Sequence, residues 1–248
     1  ASSRRCHRQI RWLHRAEGTV MSRAQELRDN LARVLQRIDE ARSAGERADP
    51  VSLIVVTKRF PVSDITILRE LGVTDIGENK EQELRAKAAE WDGEAHPRVH
   101  FIGQLQSNKA AAVARVADVV HSLDRSKLVR ALARVDRVDP LEVLVQVCLD
   151  AEPGRGGVAP AALDDLVDEV AAEPALRLRG LMAVAPLGGD PEVAFARLAD
   201  LHAGVLERHT EATWLSAGMS GDLEAAVRHG ATHLRVGTAI LGSRPSLG

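Results

Sequence analysis

The sequence predicts an α/β protein: a closed (β/α)8 barrel of the TIM type, entered through one extra N-terminal helix. Three observations carry that expectation. Eight short apolar runs recur along the chain, helical stretches separate them, and the chain has 248 residues, near the usual length of about 250 for such a barrel. Strands alternating with helices build parallel βαβ units, and eight such units in a chain of this length argue for closure rather than an open sheet.

The extra helix comes first. Ser22 with Gln25 forms a capping-box pattern, and the apolar positions Leu27, Leu31, Val34, Ile38 and Ala41 step by four and three along one helical face. Gly45 and Pro50 close it. The run VSLIVVTK at 51–58 follows, continuous in the way a parallel strand covered on both faces requires. Further strands are expected at 73–77, 98–103, 118–123, 141–149, 176–184, 213–216 and 233–238. The helices between them are expected at 62–71, 78–91, 107–117, 125–135, 159–172, 191–209 and 220–230.

Composition narrows the function classes. With 33 basic and 35 acidic residues, no overall field favours nucleic acid or a membrane surface. No apolar run approaches the ~18 residues of a membrane span. Cys6 and Cys148 make no disulfide framework and show no metal-ligand spacing, so the expected compartment is the reducing cytoplasm. Three Trp, three Phe and no Tyr make the core aliphatic and exclude any tyrosine base. Residues 1–20 hold five Arg and one Glu. They read as a targeting leader or a plain extension, without fixed structure, and residues 21–248 read as a single barrel domain.

Active sites of such barrels lie at the C-terminal strand ends. Lys58 closes the first strand after an apolar run, so its stem begins deep in the mouth. Partial desolvation disfavours the charged amine and exposes a nucleophile suited to an aldehyde, although a lysine that merely snorkels outward fits the position equally. Two Gly/Ser clusters, LSAGMSGD at 215–222 and RVGTAILGS at 235–243, follow strands seven and eight, where barrels commonly bind phosphate. Gly218, Gly221 and Gly237 permit close backbone approach, and Ser216, Ser220 and Thr238 supply hydroxyls. A lysine opposite a phosphate site describes a phosphorylated aldehyde: either pyridoxal phosphate or the sugar phosphate of a Schiff-base aldolase. The aldolase reading needs carboxylates beside the lysine, and Glu78 is the main candidate. Arg235 suits a pyridine nitrogen, since a guanidinium donates and leaves that nitrogen unprotonated.

The motifs VVTKRFP around Lys58, GENKEQE at 77–83, HFIGQLQSNK at 100–109, LRGLMAVAP at 178–186, LSAGMSGDLEAA at 215–226 and RVGTAILGSR at 235–244 carry a resemblance. In their order and spacing the chain resembles the pyridoxal-phosphate homeostasis protein family, single-barrel relatives of the alanine racemase N-terminal domain, over most of 21–242. The resemblance implies a fold-type III barrel with a cofactor Schiff base at Lys58. It also implies a pyridine contact at Arg235 and phosphate contacts at Ser216, Gly237 and Thr238, with Asn79, Met182 and Met219 lining the pocket. It implies a role in pyridoxal-phosphate (vitamin B6) homeostasis without turnover and without catalytic residues, acting as a monomer on apo pyridoxal-phosphate enzymes. A pyridoxal-phosphate racemase or decarboxylase, or the aldolase, are the rival readings. Ala217, Arg59, Cys148 and Arg155 depart from the family pattern.

The remaining signals are weaker. Gly154, Gly156 and Ala159 match G-x-G-x-x-A, but four residues intervene after the strand and Pro160 sits where a phosphate-binding helix would start. His229 and His233 are separated by Gly230, which argues against a metal site. His202 and His209 read as solvated on a polar helix face, and Cys148 as an inert core thiol. Gln104, Asn108 and Lys109 stand near the mouth as helix caps or as contacts to a second ligand.

Overall fold

The computed structural model describes residues 21–91, 96–150 and 156–243. Residues 1–20, Gly154, Arg155 and Arg244, with the expectations attached to them, lie outside those ranges. Helix α1 (Arg23–Ala44) starts where Ser22 Oγ accepts from the Gln25 amide at 3.2 Å, and it buries the five anticipated apolar residues together with Asn30.

The order then runs β1 (Ser52–Val56), α2 (Val62–Glu70), β2 (Asp75–Glu78), α3 (Glu81–Glu90), β3 (Arg98–Phe101), α4 (Ala110–Ala114), β4 (Val119–Leu123) and α5 (Ser126–Ala133). It continues with β5 (Leu141–Gln146), α6 (Leu163–Ala171), β6 (Leu176–Met182), α7 (Pro191–Arg208), β7 (Trp214–Ser216), α8 (Leu223–Arg228), β8 (His233–Val236) and α9 (Thr238–Leu241). The strands form one closed parallel barrel, each paired with its neighbour in sequence and β8 paired with β1. This is the expected architecture.

Boundaries differ for physical reasons. Glu78, expected in a helix, ends β2 opposite Phe101, and its side chain is wholly buried. β5 stops at Gln146, and Val147 makes only an isolated bridge to Val158. Pro160 imposes a short 3-10 turn before α6. β1 stops at Val56, so Lys58 lies in the turn beyond the strand.

Strand residues alternate between two environments. On the outer face Val55, Ile76, Val99, Val143, Leu215 and Leu234 join the helices in one continuous aliphatic layer. On the inner face Val119, Leu144 and Met182 pack separately, with Trp214 against them. Two glycines permit close backbone approach, Gly180 within β6 and Gly103 just beyond β3. A Cβ at Gly180 (φ +147) would fall 1.8 Å from Trp214 O, and one at Gly103 would fall 2.0 Å from Asn79 O.

Helix α1 braces the two loops beyond β7 and β8. Asn30 Nδ2 donates to Ile240 O at 2.8 Å, Arg23 Nη2 to Leu241 O at 3.1 Å, and Arg37 Nη2 to Ser220 O at 3.1 Å. The segment added before the first strand thereby fixes the C-terminal carbonyls of α9 and the loop that faces it.

Candidate functional site

The C-terminal mouth is organised by the β8–β1–β2 side of the barrel. Residues 57–60 form a turn in which the Phe60 amide donates to Thr57 O at 3.0 Å, and Arg59 takes a left-handed conformation (φ 67) uncommon for a residue with a side chain. Lys58, at the head of this turn, is half-buried.

A buried ion cluster holds the turn from below. Lys87 Nζ donates to Glu78 Oε1 at 2.6 Å and to Thr57 O at 2.8 Å, and Thr57 Oγ1 donates to Glu78 Oε1 at 2.6 Å. Glu83 stands 3.3 Å from Lys87 and accepts from the Arg59 amide. Desolvation pushes the Glu78 carboxyl upward, and the Lys87 charge opposes it. Glu78 is therefore engaged in supporting the turn, which weakens it as the acid–base carboxylate an aldolase would need.

Register places the other pieces beside Lys58. Ile54 of β1 pairs with Arg235 and Val55 with Val236, so the turn after β8 abuts the turn after β1. A Cβ on Gly237 would come within 3.1 Å of Val56 O, so Gly237 permits this approach. Thr238 is exposed and begins α9, and Ser220 Oγ accepts from the Ala239 amide at 3.3 Å.

The Arg235 guanidinium lies inside the barrel, only 4% exposed, donating to Ser216 Oγ at 2.6 Å and to Ala183 O at 2.9 Å. Burial lowers its pKa to about 10, with the Asp222 charge opposing the shift, and it remains a cation at neutral pH.

The hydroxyl of Ser216, expected to face a phosphate, is fully buried and bound to Arg235 and to His121 Nδ1 at 3.0 Å. Ser220 is the hydroxyl beside the start of α9. Met182 is buried, Asn79 is half-buried and Met219 is 40% exposed. The structure thus gathers Arg235, Ser216 and Met182 in the barrel interior, and sets Gly237 and Thr238 on the rim next to the turn that carries Lys58.

Several minor expectations change. His202 is buried, with Nε2 2.7 Å from Ala212 O, because it shares the inward stripe of Phe195, Leu198 and Val205. Cys148 is half-buried at the edge of a cavity of about 210 Å³ also lined by Gln146 and Gly156, with its thiol donating to Asp150 O at 2.9 Å. The closed barrel offers no open-sheet crevice of the kind a dinucleotide site at Gly156 and Ala159 presupposes.

His229 contacts Glu192, while His233 lies in the barrel beside Trp214. Among the described residues no His/Cys/Asp/Glu group is arranged to hold a metal, and no helix is long and apolar enough to cross a membrane.

Sequence reasoning missed Asp75, His100 and His121, which continue inward from Ser216. RVHF and VVHSL each carry one histidine in a mainly apolar strand run, a mark that does not by itself reveal a polar inner face.

A family model for the alanine racemase N-terminal domain matches residues 24–245. The alanine racemase of Corynebacterium glutamicum, 16% identical, superposes with a TM-score of 0.67 over 91% of this chain and 62% of its own, a likeness of fold. Fold and mouth together define a barrel of this alanine racemase N-terminal class.

Curated relatives narrow it further. The pyridoxal phosphate homeostasis protein of Corynebacterium glutamicum is 46% identical over 219 residues, 84% of this chain and 98% of the relative. That of Escherichia coli is 37% identical over 231 residues, covering 88% and 97%. PipY of Synechococcus elongatus, solved with PLP bound, is 31% identical with a TM-score of 0.76 over 87% of this chain and 100% of its own. The chain belongs to the pyridoxal phosphate homeostasis protein family.

Proposed function

We propose that this protein binds pyridoxal 5′-phosphate through a Schiff base at Lys58 and serves to hold and deliver the cofactor rather than to turn over a substrate. The observation that carries the reading is the placement of Arg235. Its buried guanidinium sits just inside the mouth, on the strand paired with the one that leads to Lys58, and the next residues of that strand form the Gly237–Thr238 turn.

The residues fit the group. Gly237 leaves room where a Cβ would press on Val56 O, and the backbone N–H groups of Gly237 and Thr238 with the Thr238 and Ser220 hydroxyls suit a phosphate. Arg235 suits a ring nitrogen, and Asn79, Met182 and Met219 suit its surroundings. Bound there, pyridoxal phosphate supplies an aldehyde for the lysine amine and an electron-withdrawing ring.

This chain's own residues restrict the chemistry open to a bound cofactor. A guanidinium at the ring nitrogen donates a hydrogen bond without surrendering its proton, which keeps the ring a weak electron sink. The 248 residues include no tyrosine, and the buried Glu78 carboxylate is tied to Lys87 and Thr57, so no second base faces Lys58 from these groups. The names of the relatives, and the PLP bound in PipY, support the same reading. The recipients would be apo pyridoxal-phosphate enzymes, served in the cytoplasm by a monomer.

The test has two parts. Cofactor-loaded protein should show a visible band that borohydride bleaches, and it should invert L-alanine no faster than free cofactor does. A missing band defeats the binding claim. Inversion at an enzyme-like rate defeats the carrier claim in favour of a racemase.

A further inference from the structure

Five polar side chains from five strands join into one line through the barrel interior. Arg235 Nη1 donates to Ser216 Oγ at 2.6 Å, Ser216 Oγ lies 3.0 Å from His121 Nδ1, His121 Nε2 lies 2.9 Å from His100 Nδ1, and His100 Nε2 lies 2.8 Å from Asp75 Oδ1. Asp75 opens β2 at the N-terminal end of the barrel, whereas Ser216 closes β7 near the C-terminal mouth. Such interiors are ordinarily filled by branched aliphatic side chains, and buried polar groups are tolerated there only when partnered.

The two ends fix the direction of every bond. A guanidinium can only donate and a carboxylate only accept. Ser216 therefore receives from Arg235 and gives its own proton to His121, His121 carries its proton on Nε2 and gives it to His100, and His100 carries its proton on Nε2 and gives it to Asp75. Burial holds both imidazoles neutral, below their ordinary pKa. The charged and titratable groups facing them are Asp75, Arg98, Asp118 and His233 around His100, with His233, Arg98 and Arg235 around His121.

We propose that Asp75, His100 and His121 are positioning residues for Arg235, acting through Ser216 from the opposite end of the barrel. They keep the Ser216 lone pairs turned to the guanidinium and so hold it in one orientation. The link to the cofactor rests on the reading of Arg235 as the ring-nitrogen contact. Without Asp75 the line is free to reverse: each imidazole can move its proton to Nδ1, one Ser216 lone pair is then taken by His121, and the serine proton, released from His121, is free to turn toward the guanidinium and loosen its bond.

The line is tested first on the protein alone, with ¹⁵N-labelled histidine and arginine. The wild type should show His100 and His121 protonated on Nε2, with separate, slowly exchanging Nη resonances for Arg235. Asp75→Leu should shift both imidazoles toward Nδ1 protonation and merge the Arg235 Nη signals. Nδ1-protonated imidazoles in the wild type, or Arg235 signals indifferent to Asp75→Leu, overturn the proposal.

A second comparison remains decisive where Asp75→Leu fails to fold. His121→Gln offers one amide that accepts and donates in the same direction and should keep the Arg235 signals separate; His121→Leu should merge them, and equal behaviour of the two overturns the proposal. In cofactor-loaded protein, the pH at which the visible absorption changes should move by about half a unit or more in Asp75→Leu, and recover in His121→Gln relative to His121→Leu. Absence of any visible band in the wild type condemns the cofactor reading instead, since the resonances of the protein alone still judge the line.

Discussion

The two faces of the barrel sheet solve opposite problems. The outer face meets the helices through Val55, Ile76, Val99, Val143, Leu215 and Leu234, a layer in which one branched aliphatic does much the work of another. The inner face carries Asp75, His100, His121, Ser216, His233 and Arg235, all but Asp75 buried and most of them bound to one another. Stability resides mainly in the first set, where burial of apolar surface drives folding. The orientation of Arg235, the ring contact in the proposed function, is set in the second, through directional bonds to Ser216 and Ala183 rather than through nonpolar packing.

The largest expected effect tests that division from the outside. Leu84 is wholly buried on α3 within the aliphatic layer, so Leu84→Ala should cost about 2–5 kcal/mol of stability. The molecules that stay folded should keep the cofactor stoichiometry of the wild type. Urea unfolding followed by a binding titration checks both halves, and a mild stability loss with poor binding would blur the two faces.

On the inner face the expected losses are in affinity. Ser216→Ala removes a hydrogen bond to a charged group, worth about 1.5–3 kcal/mol, so affinity should drop roughly tenfold or more. Its hydroxyl serves Arg235, so pyridoxal and pyridoxal phosphate should suffer alike. Thr238→Ala, on the rim, should penalise only the phosphorylated ligand. Paired titrations with both ligands separate these cases, and the opposite pattern would assign Ser216 to the phosphate.

Acid should find the inner face first. Burial pushes His233 from the ordinary 6.5 to about 3, and holds His100 and His121 below their usual value as well. Below about 6.5 the unfolded chain binds protons that the folded chain refuses, so stability present at neutral pH is lost progressively as pH falls toward 3. His233→Phe keeps a ring against Trp214, 4.2 Å from it in the wild type, and takes up no proton. Its unfolding midpoint should fall less between pH 7 and pH 5 than that of the wild type, and an identical slope would remove His233 from the account.

The smallest effect lies on the exposed rim of the helices. Arg208 pairs with Asp164 and Asp168 on the surface, and Arg208→Ala should change stability by no more than about 1 kcal/mol. A larger change in chemical denaturation would show that this surface cluster contributes to stability as the buried layer does.

The outer face is also the part that was legible. Each strand announced itself through apolar residues, and α1 through Ser22 and its stepped leucines, because burial against helices leaves a period that survives in one dimension. The inner face was read only where it reached the mouth, at Ser216, Arg235 and the glycines. His100 and His121 stay hidden in the sequence because a single polar residue in an apolar run does not reveal that other strands supply partners to it. Glu78 reads as helical in one dimension for the same reason: its partners Thr57 and Lys87 are 21 and 9 residues away. His202 is a different failure, since its spacing from Phe195 and Leu198 did mark the buried stripe of α7.

The central claim is that Lys58 carries the cofactor, and peptide mapping tests it most directly. Protein loaded with pyridoxal phosphate, reduced with borohydride and digested should yield one pyridoxyl-modified peptide, containing Lys58. Lys58→Ala should lose both the modification and the visible band while keeping its melting temperature. Modification of Lys80, Lys87 or Lys109 in the wild type, or a band that survives Lys58→Ala, would contradict the account.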